Sequence, residues 1–103
     1  MSSFIVAYTG FAKSDITEIF EFIAQDSYLR AVDFRDRLEA KILSLAKSPF
    51  IGKFAKNERL AIDNTRVTVL PPYLIFYSVN TAQTTIYIER ILHQARENID
   101  WIF

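Results

Sequence analysis

Tyr73-Leu-Ile-Phe-Tyr77, followed further along by Ile88-Glu-Arg-Ile-Leu-His-Gln-Ala-Arg96, is the part of the sequence that decides the fold. The first stretch is a continuous apolar run, and the second begins among β-branched residues, which favour strands. A polar segment at residues 80–83 lies between them and predicts a turn. The sequence therefore predicts a central strand over residues 73–79 and a last strand over residues 84–92.

A third strand is predicted just before this pair, over residues 64–70. Its residues alternate, with Arg66 and Thr68 on one face and Val67 and Val69 on the other. Pro71-Pro72 ends the strand because proline has no N–H for a strand ladder. The last third of the chain is thus predicted to be a three-stranded antiparallel meander.

Two amphipathic helices are predicted before the meander. Apolar residues recur at helical spacing over residues 11–25 and again over residues 28–47. Thr9 and Ser27 precede these segments and are suited to cap them. The short link predicts an antiparallel helix hairpin. A short strand is predicted over residues 4–8, and its place in the sheet stays open.

The predicted architecture is α+β, in the order β-α-α-β-β-β, within a single domain of residues 1–103. The helix hairpin is expected to pack on one face of a small antiparallel sheet, and the other face to meet solvent or a partner. Residues 50–63 are predicted to be a long loop. The chain ends in Ile99-Asp-Trp-Ile-Phe103, which is expected to dock on the core; a contact patch for another chain is the alternative.

Composition excludes several classes of site. The chain has 103 residues and no Cys, which rules out disulfides, thiolate metal sites and a cysteine nucleophile. A lone His without a close acidic cluster argues against zinc, so neither metal nor cofactor is expected. No apolar run is long enough for a membrane span and no signal peptide is recognisable, which favours a cytoplasmic protein. The formal net charge of +0 favours a protein partner over extended nucleic-acid binding.

Arginines on and just after the predicted strands are candidates for a binding site. Arg66, Arg90 and Arg96 can converge on one side of the sheet and bind a phosphate or carboxylate through paired N–H groups. The alternative is ordinary surface ion pairing. The acidic neighbours in sequence are Glu89, Glu97 and Asp100.

The only histidine and two loop lysines complete the candidates. His93 follows the last strand and can act as a general acid or base, but the residues alone favour a histidine that hydrogen-bonds the backbone at the strand end. Lys53 and Lys56 lie in the predicted loop and can contact phosphate. Lone loop lysines are more often only solvated.

The order and spacing of these segments resemble the RelE/ParE superfamily of bacterial toxins, most closely its ParE branch. The resemblance covers nearly the whole chain. Its pieces are Tyr8-Thr-Gly-Phe-Ala-Lys-Ser-Asp-Ile16, Phe22-Ile23, Leu45-Ala-Lys-Ser-Pro-Phe-Ile-Gly52, Arg66-Val-Thr-Val69, residues 73–77 and Ile88 to Arg96. The His93-Gln-Ala-Arg96 ending is the ParE-like piece.

The resemblance implies a toxin of a type II toxin–antitoxin pair, neutralised by a cognate antitoxin and assembled as a homodimer or as a hetero-oligomer with that antitoxin. In the ParE branch the target is DNA gyrase, reached by binding, with Arg66, Arg90, His93 and Arg96 on the target-facing surface. The helix hairpin or an open sheet edge would receive the antitoxin.

Two alternatives remain open. A RelE-like protein would cut messenger RNA on the ribosome, with His93, Arg66 and Arg96 as catalytic residues and Lys53 and Lys56 as phosphate contacts. An inactive module that only binds an antitoxin is the third hypothesis.

Overall fold

The computed structural model describes residues 3–54 and 64–96 of the chain. These contain two α-helices, five strands and a final 3-10 turn. In chain order they are β1 (Ile5–Tyr8), α1 (Gly10–Asp26), α2 (Tyr28–Lys47), β2 (Lys53–Phe54), β3 (Arg66–Leu70), β4 (Tyr73–Asn80), β5 (Thr85–His93) and the 3-10 turn Gln94–Arg96. Within this part of the chain, no helix combines the length and apolarity that a membrane crossing requires.

The strands form one sheet in the order β1-β5-β4-β3-β2. The antiparallel meander β3-β4-β5 and the central position of β4 are confirmed. The α+β class and the helix hairpin on a sheet are confirmed as well.

The sheet differs from the expected antiparallel one in two respects. Strand β1 joins β5 in parallel, with Ile5 opposite Thr85 and Tyr8 opposite Ile88. Strand β2, within the predicted loop, pairs antiparallel with β3. A parallel partner so distant in sequence leaves no local pattern, and a strand of 2 residues is too short to show periodicity. The sheet is therefore mixed and has five strands among the described residues.

The helices begin and end close to their predicted bounds. Thr9 caps α1 by accepting a hydrogen bond from the Ala12 N–H at 3.0 Å. Ser27 ends α1 and caps α2, accepting from the Arg30 N–H at 3.2 Å. The hairpin is thus set by a single extended residue between two helices, whose polar side chain satisfies the second helix.

The main core lies between the helix hairpin and one face of the sheet. Apolar side chains of both helices meet those of β4 and β5 there. The buried members are Ala12, Phe34, Leu38, Ile42, Leu45, Ala46, Tyr73, Ile75, Tyr77, Ile86, Ile88 and Ile91.

The opposite face of the sheet carries a second apolar cluster. Val67, Leu74 and Phe76 are buried there, with Val69 and Leu92 packed against them. This face is not simply open to solvent or a partner, because β4 is apolar at consecutive positions and so has buried side chains on both faces. The C-terminal residues Ile99-Asp-Trp-Ile-Phe103, expected to dock on the core, lie outside the described residues.

Candidate functional site

Arg66 holds the loop that joins α2 to β2. Its Nη1 donates to the carbonyls of Phe50, at 3.2 Å, and Gly52, at 2.8 Å. Its Cζ lies 4.0 Å from the ring centroid of Phe54 and 5.2 Å from that of Phe50. Carbonyl oxygens and aromatic faces both attract a guanidinium cation. Arg66 therefore stabilises this loop, residues 48–52, from the β3 side.

Tyr77 stabilises the same loop from beneath. Its buried Oη accepts from the Gly52 N–H at 2.8 Å and donates to the Pro49 carbonyl at 2.9 Å. A Cβ added at Gly52 would come 2.8 Å from the Tyr77 Cε1, so only glycine fits against the ring. Burial raises the pKa of Tyr77, partly offset by the Gly52 hydrogen bond and the charge of Arg66. The Pro-x-x-Gly stretch, the arginine and the tyrosine thus form one structural unit, which the separate sequence motifs did not reveal.

This unit presents an apolar surface with positive charge to solvent. Phe50, Ile51 and Phe54 are 55%, 69% and 53% exposed, although all are large and apolar. Lys53 is exposed on β2 beside them, and Arg66 lies between the two rings. We call these residues, Phe50, Ile51, Lys53, Phe54 and Arg66, the loop patch.

Arg90 is bound to α1. Its Nε and Nη2 donate to the Asp15 carboxylate at 2.8 and 3.0 Å, and its Cζ lies 5.5 Å from the Phe11 ring centroid. Asp15 is 8% exposed and also accepts from the Ile91 N–H at 3.0 Å. The acidic neighbours of Arg90 in sequence did not predict this pair, because Asp15 lies on α1, which meets β5 only in three dimensions. The sequence signal available was an acidic residue among the apolar positions of α1.

His93 caps the end of β5. Its Nδ1 accepts from the Ala95 N–H at 3.0 Å, and its ring meets Tyr73 edge to face at 5.3 Å. Because a backbone N–H donates to Nδ1, the proton of the neutral imidazole lies on Nε2. The arrangement matches the alternative in which this histidine hydrogen-bonds the backbone at the strand end. Only Nε2, as a donor, remains available to another molecule.

A cleft of about 420 Å³ lies between α1 and the end of β5. Arg90 and His93 both line it, so these two candidates share one site, which we call the α1–β5 cleft. Its wall combines apolar surface with the carboxylates of α1. The lining residues are Asp15, Glu18, Ile19, Phe22, Tyr73, Arg90, Ile91, Leu92 and His93.

Arg66 lies well away from His93. Arg66 is opposite Tyr77, and His93 is opposite Tyr73, across two strand intervals of the sheet. With about 4.8 Å between strands and about 3.3 Å per residue, their Cα atoms are about 16 Å apart. Arg66 and Arg90 also hold different segments, so the predicted convergence of the arginines is not what their contacts show.

The other predicted residues are placed more simply. Lys53 belongs to β2 and is exposed. Arg96 lies in the 3-10 turn just after His93, and its side chain is outside the described part, as is Lys56. Among residues 3–54 and 64–96, no group of His, Asp and Glu side chains could hold a metal ion.

Known proteins resemble this chain over most of its length. The family model described as "ParE toxin of type II toxin-antitoxin system, parDE" matches residues 6–98. Toxin RelE2 of Caulobacter vibrioides is 39% identical over 92 residues, which is 88% of this chain and 96% of that protein.

Two solved structures share the fold. The toxin–antitoxin complex RelBE2 of Mycobacterium tuberculosis has a chain with a TM-score of 0.64 and 26% identity, covering 88% of this chain and 98% of its own. The chromosomal ParDE system of P. aeruginosa has one with a TM-score of 0.69 and 17% identity, covering 88% and 96%. The match of the family model and the identity to Toxin RelE2 lead to one conclusion: this chain belongs to the ParE toxin family of the RelE/ParE superfamily, the toxins of type II toxin–antitoxin systems.

Proposed function

We propose that this toxin acts by binding DNA gyrase, without chemistry of its own, and that a cognate antitoxin neutralises it. The observation that carries the proposal is that His93 and Arg66, two of the candidate catalytic residues, are engaged within the fold. The His93 Nδ1 accepts from the Ala95 N–H, and Arg66, whose Cα lies about 16 Å from that of His93, holds a loop. A general base and a phosphate-binding cation must lie within reach of the same phosphodiester. The geometry therefore favours binding.

The α1–β5 cleft is the surface proposed for the target. Arg90 keeps 44% of its side chain exposed while Asp15 fixes its orientation. Phe11 and Phe22 stand exposed on the neighbouring face of α1. Interface centres are enriched in arginine and aromatic side chains, and preorganisation lowers the cost of binding. Arg96 is a further proposed contact, whereas Arg66 lies outside the cleft and holds the loop that joins α2 to β2.

An antitoxin partner is supported by the solved relatives, both of which are toxin–antitoxin systems by name. Among the described residues β1 is an edge strand of the sheet, and we propose this edge as a second place where the antitoxin can bind, since a strand edge accepts an added strand.

The test is a supercoiling assay with purified gyrase and relaxed plasmid, with the toxin added alone. We expect inhibition of supercoiling and accumulation of cleaved DNA complexes. Phe22→Ser, which changes the cleft wall without touching the sheet, should raise the inhibitory concentration about tenfold. Leu29→Ser, at a position outside the cleft that is more exposed than Phe22, is the matched control. Full supercoiling at toxin concentrations that arrest growth would refute the proposal.

The second candidate is ribosome-dependent cleavage of messenger RNA, favoured by the name Toxin RelE2 of the curated relative. His93→Ala separates the two: cleavage of ribosome-bound messages would be lost in this variant, whereas gyrase inhibition would survive in part. No growth arrest on induction would instead favour the inactive antitoxin-binding module.

A further inference from the structure

We propose that the loop patch is a docking site for an acidic, apolar peptide segment of the antitoxin. This inference rests on the proposed neutralisation of the toxin by an antitoxin, and it assigns that partner a place and a chemistry.

The apolar side chains of the patch are exposed on a rigid support. Phe50, Ile51 and Phe54 each keep more than half of their surface exposed. Exposed apolar groups of this kind mark interaction sites when they are clustered and rimmed by polar residues. Here the cluster lies on a loop whose carbonyls are fixed by Arg66 and Tyr77. The surface is therefore formed in advance, and little conformational entropy is lost when it binds.

The charged side chains of the patch favour an acidic partner. The described segments that build the patch, residues 48–54 and 64–68, contain Lys53 and Arg66 and no carboxylate. Lys53 is exposed and Arg66 half-buried, so the charged side chains within the patch are both cations. A partner segment with Asp or Glu next to its apolar anchors complements both properties.

The number of exposed cations in the patch favours a peptide over a nucleic acid. Arg66 already donates to two backbone carbonyls, and the rings of Phe50 and Phe54 lie near its guanidinium. Lys53 is then the one exposed cation of the patch. Single-stranded nucleic acid is gripped by several cations along a groove. The patch instead has the aromatic and arginine content of a protein interface.

The experiment uses the full chain and the small protein encoded beside its gene, purified after co-expression. Binding is measured by calorimetry, and overlapping peptides of about 20 residues from that protein locate the segment. Ile51→Ser should raise the dissociation constant about tenfold, whereas Leu29→Ser, which is at least as exposed, should leave it within about twofold. Lys53→Glu should weaken binding about tenfold and reduce its salt dependence. Lys13→Glu on α1 is its control.

The outcomes separate this proposal from the one on which it rests. If the neighbouring protein does not bind at all, both are refuted. If it binds and the Ile51 and Lys53 variants bind as tightly as their controls, only the docking site is refuted. Binding of a uridine 20-mer RNA that depends on Lys53, or a dimer of this chain that Ile51→Ser dissociates, would assign the patch to a different occupant and overturn the inference.

Discussion

Gly52 is the residue whose side chain, a single hydrogen, has the largest structural effect. A Cβ there meets the buried ring of Tyr77, whereas a Cβ at Gly10 meets nothing within 4 Å. We expect Gly52→Ala to lower the free energy of unfolding by about 2–3 kcal/mol, from overpacking and a weakened hydrogen bond. Gly10→Ala should change it by less than about 0.5 kcal/mol. Urea denaturation of both variants measures the difference, and equal stabilities would contradict the role given to Gly52.

Tyr77 makes stability depend on alkaline pH. Burial raises its pKa in the folded protein, and burial together with Glu39 raises that of Tyr8. The unfolded chain releases these protons first, near pH about 10. The contribution of the two protonated phenols to the free energy of unfolding is therefore complete below that pH. It is lost as the pH rises through their raised pKa values in the folded protein.

We expect the free energy of unfolding to fall above pH about 10 in the natural chain. In the double variant Tyr8→Phe, Tyr77→Phe the free energy of unfolding should fall less steeply with pH. This variant is also less stable than the natural chain at neutral pH. Denaturation curves at a series of alkaline pH values give the two slopes. Parallel slopes would show that these phenols do not titrate as described.

At the scale of elements, Asp15 joins α1 to β5. It accepts from Arg90 and from the Ile91 N–H, at a point on β5 beyond the register of β1. Asp15→Ala leaves a backbone donor and a half-exposed guanidinium without this partner. We expect Asp15→Ala to lower the free energy of unfolding by about 2–3 kcal/mol.

The matched control for Asp15 is Asp33→Ala on α2. Asp33 pairs with Arg37 at 2.9 Å, but both side chains are more than half exposed. Its removal should cost less than about 0.5 kcal/mol. Hydrogen exchange provides a second measurement, since the Ile91 amide should exchange faster only in the Asp15 variant. Unchanged protection there would contradict the assigned contact.

At the scale of the whole molecule, the sheet has apolar side chains buried on both faces. Leu74 and Ile75 are adjacent on β4, belong to the two different clusters and are equally inaccessible. Leu74→Ala and Ile75→Ala should each cost about 2–5 kcal/mol. Ile5→Ala, at an exposed position of β1, should cost less than about 0.5 kcal/mol. Thermal and urea unfolding test this, and a near-neutral Leu74→Ala would show that the second face is not a core.

The parts of this fold that sequence predicts are those encoded locally. The spacing of apolar residues places α2 at residues 28–47, as observed, and α1 within one residue at each end. The predicted start of β5 at Thr84 is one residue early, because Thr84 has a positive φ of 51° and belongs to the turn. A threonine does not predict a positive φ, which glycine or asparagine adopts more readily.

The candidate site was less predictable, because its contacts join distant segments. The Arg90–Asp15 pair spans 75 positions and the Gly52–Tyr77 bond 25. Candidate residues were chosen by type, and type does not say whether an arginine faces a target or a carbonyl of its own chain. Geometry identifies Arg66 as a support for the loop patch, whose apolar members were not among the candidates.

The pairing of β1 with β5 also has a consequence for how the protein is made. Ile5 pairs with Thr85, and the Thr9 hydroxyl donates to the Glu89 carbonyl, so each partner is synthesised 80 positions later. A ribosome must release the chain beyond Glu89 before the sheet can close, and contacts of such separation form slowly. The nascent chain therefore has neither a finished α1–β5 cleft nor a paired first strand. Synthesis itself therefore delays the appearance of the folded toxin.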